Sequence, residues 1–162
     1  MRNTILCLIL SLPIWCSAQE TGISPEGLTF LYDGPESYNA VRILQPAGEL
    51  TYKFKLIEDT PLRFKIKYYF GDERQSALPD TVYYWVNKLN CVVYPLPSDN
   101  KKIKIFESPD ENSKIEYYKY IPHEAVFVTG FTHEFLKVIF IRNKEAREGW
   151  INNYSVFRRK LK

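Results

Sequence analysis

The amino-acid sequence predicts an all-β protein, and three observations predict it. Aromatic residues make up 15% of the 162 positions, with 12 Tyr and 10 Phe beside many Val, Ile and Thr, the residues that fit a pleated surface. No stretch sustains a helical period over several turns. Short apolar runs are separated by Pro, Gly, Asn and Asp at the spacing of a barrel or sandwich. A hydrophobic content of 45% over this length supplies a core for one ordinary domain or two small ones.

The first residues stand apart from that fold. Arg2 supplies a positive charge, Ile5 to Leu12 is an apolar stretch, Pro13 breaks it, and Cys16-Ser17-Ala18 offers small residues at the positions a signal peptidase reads. Residues 1–18 therefore read as a signal peptide cleaved after Ala18. A membrane-spanning helix needs roughly 20 apolar residues, and the polar Gln19-Glu20-Thr21 arrives too early for one. A lipoprotein anchor at Cys16 is disfavoured because Ile14 and bulky Trp15 precede it. The expected mature chain is exported, periplasmic or extracellular, with no transmembrane segment.

Export decides how cysteine and charge are read. Cys7 and Cys16 leave with the leader, so the mature chain keeps only Cys91 and closes no internal disulfide. Cys91 lies in the apolar run Cys91-Val92-Val93-Tyr94, where a small buried residue is the expected role. The formal charge of +3 falls to +2 when Arg2 is removed. Arg158, Arg159, Lys160 and Lys162 then hold a basic tail on a slightly acidic body. No basic groove is evident along the strands, which argues against nucleic acid as a partner.

Taken in order, Thr21 to Gly27 reads as a loop-like lead, Leu28 to Tyr32 as a first short strand, and Asp33-Gly34-Pro35 as a turn. Strands are expected at Ala40 to Leu44, Leu50 to Ile57, Leu62 to Phe70 and Thr81 to Val86. Pro46-Ala47-Gly48, Glu58 to Pro61 and the polar stretch Gly71 to Asp80 separate them. Pro95 to Asn100 punctuates the chain and divides it into units at 24–95 and 101–160. Beyond it, strands are expected at Lys102 to Phe106, Ile115 to Ile121, Ala125 to Thr129 and Phe135 to Arg142, with Tyr154 to Arg158 closing the set. Asn143 to Glu148 reads as a polar turn, after which Gly149-Trp150-Ile151 completes a hairpin. Gly149 leaves room for close backbone approach.

Two landmarks recur in the same order. Val41-Arg42-Ile43-Leu44-Gln45-Pro46 is echoed by Ile103 to Pro109 about 62 residues on, and Tyr84-Trp85-Val86-Asn87 by Gly149-Trp150-Ile151-Asn152 at an offset of 65. Such an order argues for duplicated modules. The segment from Lys101 to Arg158 also resembles the bacterial SH3-like (SH3b-type) domain of exported and wall-associated proteins. The resemblance is carried by Ile105-Phe106-Glu107-Ser108-Pro109, Ser113-Lys114-Ile115, Phe135-Leu136-Lys137-Val138, and Gly149-Trp150-Ile151 with Tyr154. Departures are Glu107 where the family often has Arg, Pro122-His123-Glu124 where a glycine is usual, and Phe135 in place of Trp. The resemblance implies two tandem small SH3-like barrels, the first a degenerate copy.

No common catalytic motif is present, whether a phosphate-cradling glycine loop, a Gly-x-Ser-x-Gly elbow or a dinucleotide fingerprint. Cys91 with His123 or His133 offers a nucleophile and a base, but a strand position denies the thiol the helix terminus that would activate it. His123-Glu124 and His133-Glu134 would converge only if the intervening hairpin brought them together, and no further Cys or His completes a shell, so they read as exposed turn residues and no metal or other cofactor is expected. Recognition by amphipathic rings remains, and Tyr117, Tyr118, Tyr120, Phe131, Trp150 and Tyr154 are the candidate ligand-binding residues. The resemblance implies a non-enzymatic envelope module that binds a cell-wall peptide. The alternative is a protein–protein adaptor acting on another envelope protein.

Overall fold

The computed structural model describes residues 19–25, 27–45, 52–70, 82–98 and 101–153. The expected leader at 1–18, Tyr154 and the basic tail lie outside the described residues. Among the described residues twelve strands form: β1 (Gln19–Pro25), β2 (Thr29–Tyr32), β3 (Ala40–Leu44), β4 (Tyr52–Asp59), β5 (Arg63–Phe70) and β6 (Tyr84–Asn87), then β7 (Cys91–Val93), β8 (Lys102–Phe106), β9 (Ile115–Lys119), β10 (Val126–Phe131), β11 (Phe135–Arg142) and β12 (Glu145–Asn152). Helix among the described residues is limited to 3-10 turns, of which Lys88–Asn90 is one.

The protein is all-β and builds two antiparallel sheets. The first has the order β3-β2-β6-β5-β4 and the second β7-β10-β11-β12-β8-β9. β1 lies between them, pairing with β4 at Gln19, Glu20 and Ile23 and with β7 at Ser24 and Pro25. The stretch expected to be a loop-like lead is thus a strand. Its residues have weak strand propensity, and the edges of β4 and β7 impose extended backbone from outside.

Alternation of side chains explains the strands. In β5 the burial of Phe64, Ile66 and Tyr68 alternates with Arg63, Lys65 and Lys67 at partial exposure, so one face is core and the other is cationic. β4 repeats this with Phe54 and Leu56 against Lys53 and Lys55. β11 buries Leu136, Val138 and Phe140 on one face. Its other face holds Phe135 against Phe106, with ring centroids 5.4 Å apart, while Lys137 and Ile139 are half-buried and Ile141 is open to solvent.

The β11–β12 hairpin is longer than the sequence suggests. Arg142 pairs directly with Glu145, and Asn143 and Lys144 both take positive φ, 51° and 68°, the geometry of a two-residue type I′ connection. The polar stretch Glu145 to Glu148 therefore continues the strand and projects into solvent. Gly149 meets the expectation of close approach: a Cβ there would lie 2.2 Å from Ile105 Cγ2 on β8.

The sheets share one cluster of buried residues, running from Leu31 and Phe54 through Cys91 and Val93 to Val138 and Ile151. Phe64 of the first sheet meets Phe131 of the second edge to face at 5.8 Å. Lys88 fastens the same seam: it pairs with Asp59, donates to the Thr129 carbonyl at 2.8 Å and sits 4.8 Å from the Phe64 ring centre. The two echoed landmarks do not occupy equivalent places. β8 pairs directly with the Trp150 strand, whereas β3 is separated from the Trp85 strand by β2.

Candidate functional site

Register divides the aromatic candidates between the two faces of the second sheet. Lys104 stands opposite Tyr117, Lys102 opposite Lys119 and Phe106 opposite Trp150, so these side chains share the outer face. Tyr117 is 55% exposed, and Lys102 Nζ lies 5.7 Å from its ring centre. Trp150 is half-buried on the same face, beside Lys137, which pairs with Glu148 at 2.9 Å. This outer face is a mixed surface of rings and ammonium groups.

Tyr118 and Tyr120 turn the other way and pack on the core. The Tyr118 ring rests on Phe140 at 5.1 Å and is covered by the Arg142 guanidinium at 4.7 Å. Arg142 donates through Nε to Glu124 Oε1 at 2.7 Å, through Nη2 to Glu124 Oε2, and through Nη2 to the Lys119 carbonyl at 2.7 Å. Hydrogen bonding to Glu124 raises the Arg142 pKa against the opposing effect of burial. This assembly holds the end of β11 to the end of β9, and Tyr118 serves it as a packing residue. Phe131 belongs to the seam with Phe64.

The structure therefore brings Tyr117 and Trp150 onto one face and assigns Tyr118, Tyr120 and Phe131 to packing. Sequence reasoning missed the lysines that accompany Tyr117. The available signal was the alternation Lys102-Ile103-Lys104-Ile105, in which every second residue is a cation.

The catalytic and metal readings gain no geometry. Cys91 is fully buried, and burial drives its thiol pKa far upward, so the nucleophilic thiolate does not form at ordinary pH. Its Sγ donates to the Asn87 carbonyl at 3.7 Å. Glu124 is committed to Arg142, and His123 sits exposed at a turn with φ 60°. No group of three or more His, Cys, Asp or Glu capable of holding a metal occurs among the described residues. Nor is any described helix long and apolar enough to cross a membrane.

Comparison with protein-family models, with characterised proteins and with solved structures finds no match to this chain. The family resemblance rests on its own residues alone.

Proposed function

We propose that the protein is an exported, non-enzymatic binding module of the bacterial cell envelope, built of two SH3-like units, whose second unit recognises peptidoglycan peptides. The observation that carries the reading is the exposed Tyr117 ring set among Lys102, Lys104 and Lys119 on one sheet face. Wall peptides are short, extended and rich in carboxylates. An ammonium row beside an amphipathic ring complements both the charge and the flat backbone of such a ligand. The leader-like residues 1–18 support export.

Purified peptidoglycan provides the test. The full chain is expected to sediment with intact wall in moderate salt and to lose most of that retention when the stem peptides are removed enzymatically. A Tyr117→Ala variant should bind about 3- to 10-fold more weakly, in line with the loss of one stacked ring. Retention that survives removal of the peptides, or is unchanged in Tyr117→Ala, would remove the assignment. Capture of an envelope protein in place of wall would favour the adaptor.

A further inference from the structure

The first sheet carries a second surface, independent of the one just described. Its inner face is the core of Leu31, Phe54, Phe64, Ile66 and Val86. Its outer face begins on the edge strand β3, where Val41 and Ile43 are 52% and 55% exposed, and continues onto β2, where Phe30 stands opposite Ile43 and is 39% exposed. Leu28, just before β2, is 51% exposed. Single exposed apolar residues are ordinary, but the Phe30–Ile43 pair with Val41 at the adjoining register shift and Leu28 just before β2 gathers four at one edge of the sheet, a patch that calls for a partner.

The same face turns cationic two strands further on. Tyr32 pairs with Trp85 and Trp85 with Lys65, so the apolar row leads directly into the lysine row of β5. Lys65 and Lys67 both approach the Tyr83 ring, at 5.4 and 5.0 Å from its centre, and Tyr83 is 40% exposed. Two like charges drawn to one ring lay their methylene stems along the sheet and leave their ammonium heads at its surface. Among the described residues Glu58 pairs with Lys65 at 3.5 Å, and Asp33 and Glu36 lie in the β2–β3 connection. Arg63 also faces this side, seated on the Tyr32 ring at 3.7 Å.

We infer that this face docks on an anionic lipid bilayer. The charge complementarity is direct: ammonium groups meet phosphate headgroups, and Tyr83 sits at the depth where amphipathic rings are stable. The apolar corner decides between occupants. Four aliphatic and aromatic side chains gain nothing from a hydroxyl-rich polymer, whereas hydrocarbon at the headgroup boundary takes them out of water. Twist of about 20–25° per strand turns β3 away from the plane of β5, so the apolar corner enters while the lysines flank it.

Sedimentation with vesicles tests the inference. The full chain is used throughout; its apolar first residues are common to every variant, so the difference between variants reports the face. Binding to vesicles of phosphatidylglycerol and phosphatidylcholine in equal parts should exceed binding to phosphatidylcholine alone. Lys65→Gln with Lys67→Gln should weaken it about fivefold per lysine, about 25-fold together. Val41→Ser with Ile43→Ser should weaken it on the order of tenfold while leaving thermal stability near the parent value. Equal retention of parent and both variants would overturn the inference and assign any binding to the leader or to the basic tail at Arg158, Arg159, Lys160 and Lys162, which every variant shares. A loss on lysine replacement alone, with Val41→Ser/Ile43→Ser unaffected and soluble polyanions competing fully, would overturn it in favour of a soluble polyanion.

Discussion

Replacing Gly149 with Ala is expected to destabilise the protein by forcing β8 away from β12. The added Cβ would stand 2.2 Å from Ile105 Cγ2 and 3.4 Å from the Phe106 carbonyl oxygen, where ordinary contact begins near 3.4 Å, so the neighbours must separate by 3.4 − 2.2 = 1.2 Å. Cγ2 is a branch methyl fixed to the Ile105 Cβ, and relief requires rotation of a buried side chain or movement of the strand. Overpacking of this kind costs about 1–3 kcal/mol. The opposing gain from restricting the unfolded chain is about 0.4–1 kcal/mol, too small to reverse the sign at the upper end of that range. For a chain of this size the net loss should lower Tm by up to about 10 °C in a circular dichroism melt. Ile105→Ala removes the offending methyl, so Gly149→Ala should cost less in the Ile105→Ala background than in the parent. A Gly149→Ala protein that melts at or above the parent temperature would refute the close approach.

The remaining predictions concern groups held by burial or by charge. Tyr68 has a buried hydroxyl with no hydrogen-bond partner in the described structure, and burial raises its pKa above the ordinary 10.0. Tyr68→Phe should therefore be neutral or stabilising by up to about 1 kcal/mol in urea melts. Because the folded pKa lies above the unfolded one, the parent's tyrosine contribution is present below pH 10.0 and is lost as pH rises through the folded value; stability measured from about pH 9 to 11 should fall less in Tyr68→Phe. Arg142→Lys should cost about 2 kcal/mol in urea melts, because an ammonium cannot reproduce the fork on Glu124 and the bond to the Lys119 carbonyl together. Lys88→Met should cost about 1–3 kcal/mol and broaden the urea transition, since the two sheets lose a shared ion pair and the bond to Thr129.

Most strands were legible in the sequence because their alternation is strong. Ala40–Leu44, Lys102–Phe106 and Phe135–Arg142 fall where the pattern put them. The misreadings share a cause: a partner strand, not local propensity, sets the conformation. Gln19–Pro25 is extended because β4 and β7 flank it, and Glu145–Glu148 is extended because the two-residue turn at Asn143-Lys144 pairs it with β11. Polar residues in a solvent-facing hairpin read as loop when the turn goes unrecognised. The echoed Val41 and Ile103 segments occupy different places, since β3 ends its sheet and β8 lies inside the other.

The candidate faces were harder to read for a related reason. Tyr117 and Tyr118 are neighbours in sequence and opposites in the sheet, so a list of aromatics mixes surface with core until register is known. Lysine alternation was the better guide, because a cation at every second position must lie on the solvated face. It recurs at Lys53 and Lys55, at Arg63, Lys65 and Lys67, and at Lys102 and Lys104, one set on each strand that borders a proposed surface. The shared core, Lys88 and the Phe64–Phe131 contact join the two sheets that carry those surfaces. A ligand held by one face would then fix the orientation of the other, and the second contact would form at high effective concentration wherever bilayer and wall lie within reach together.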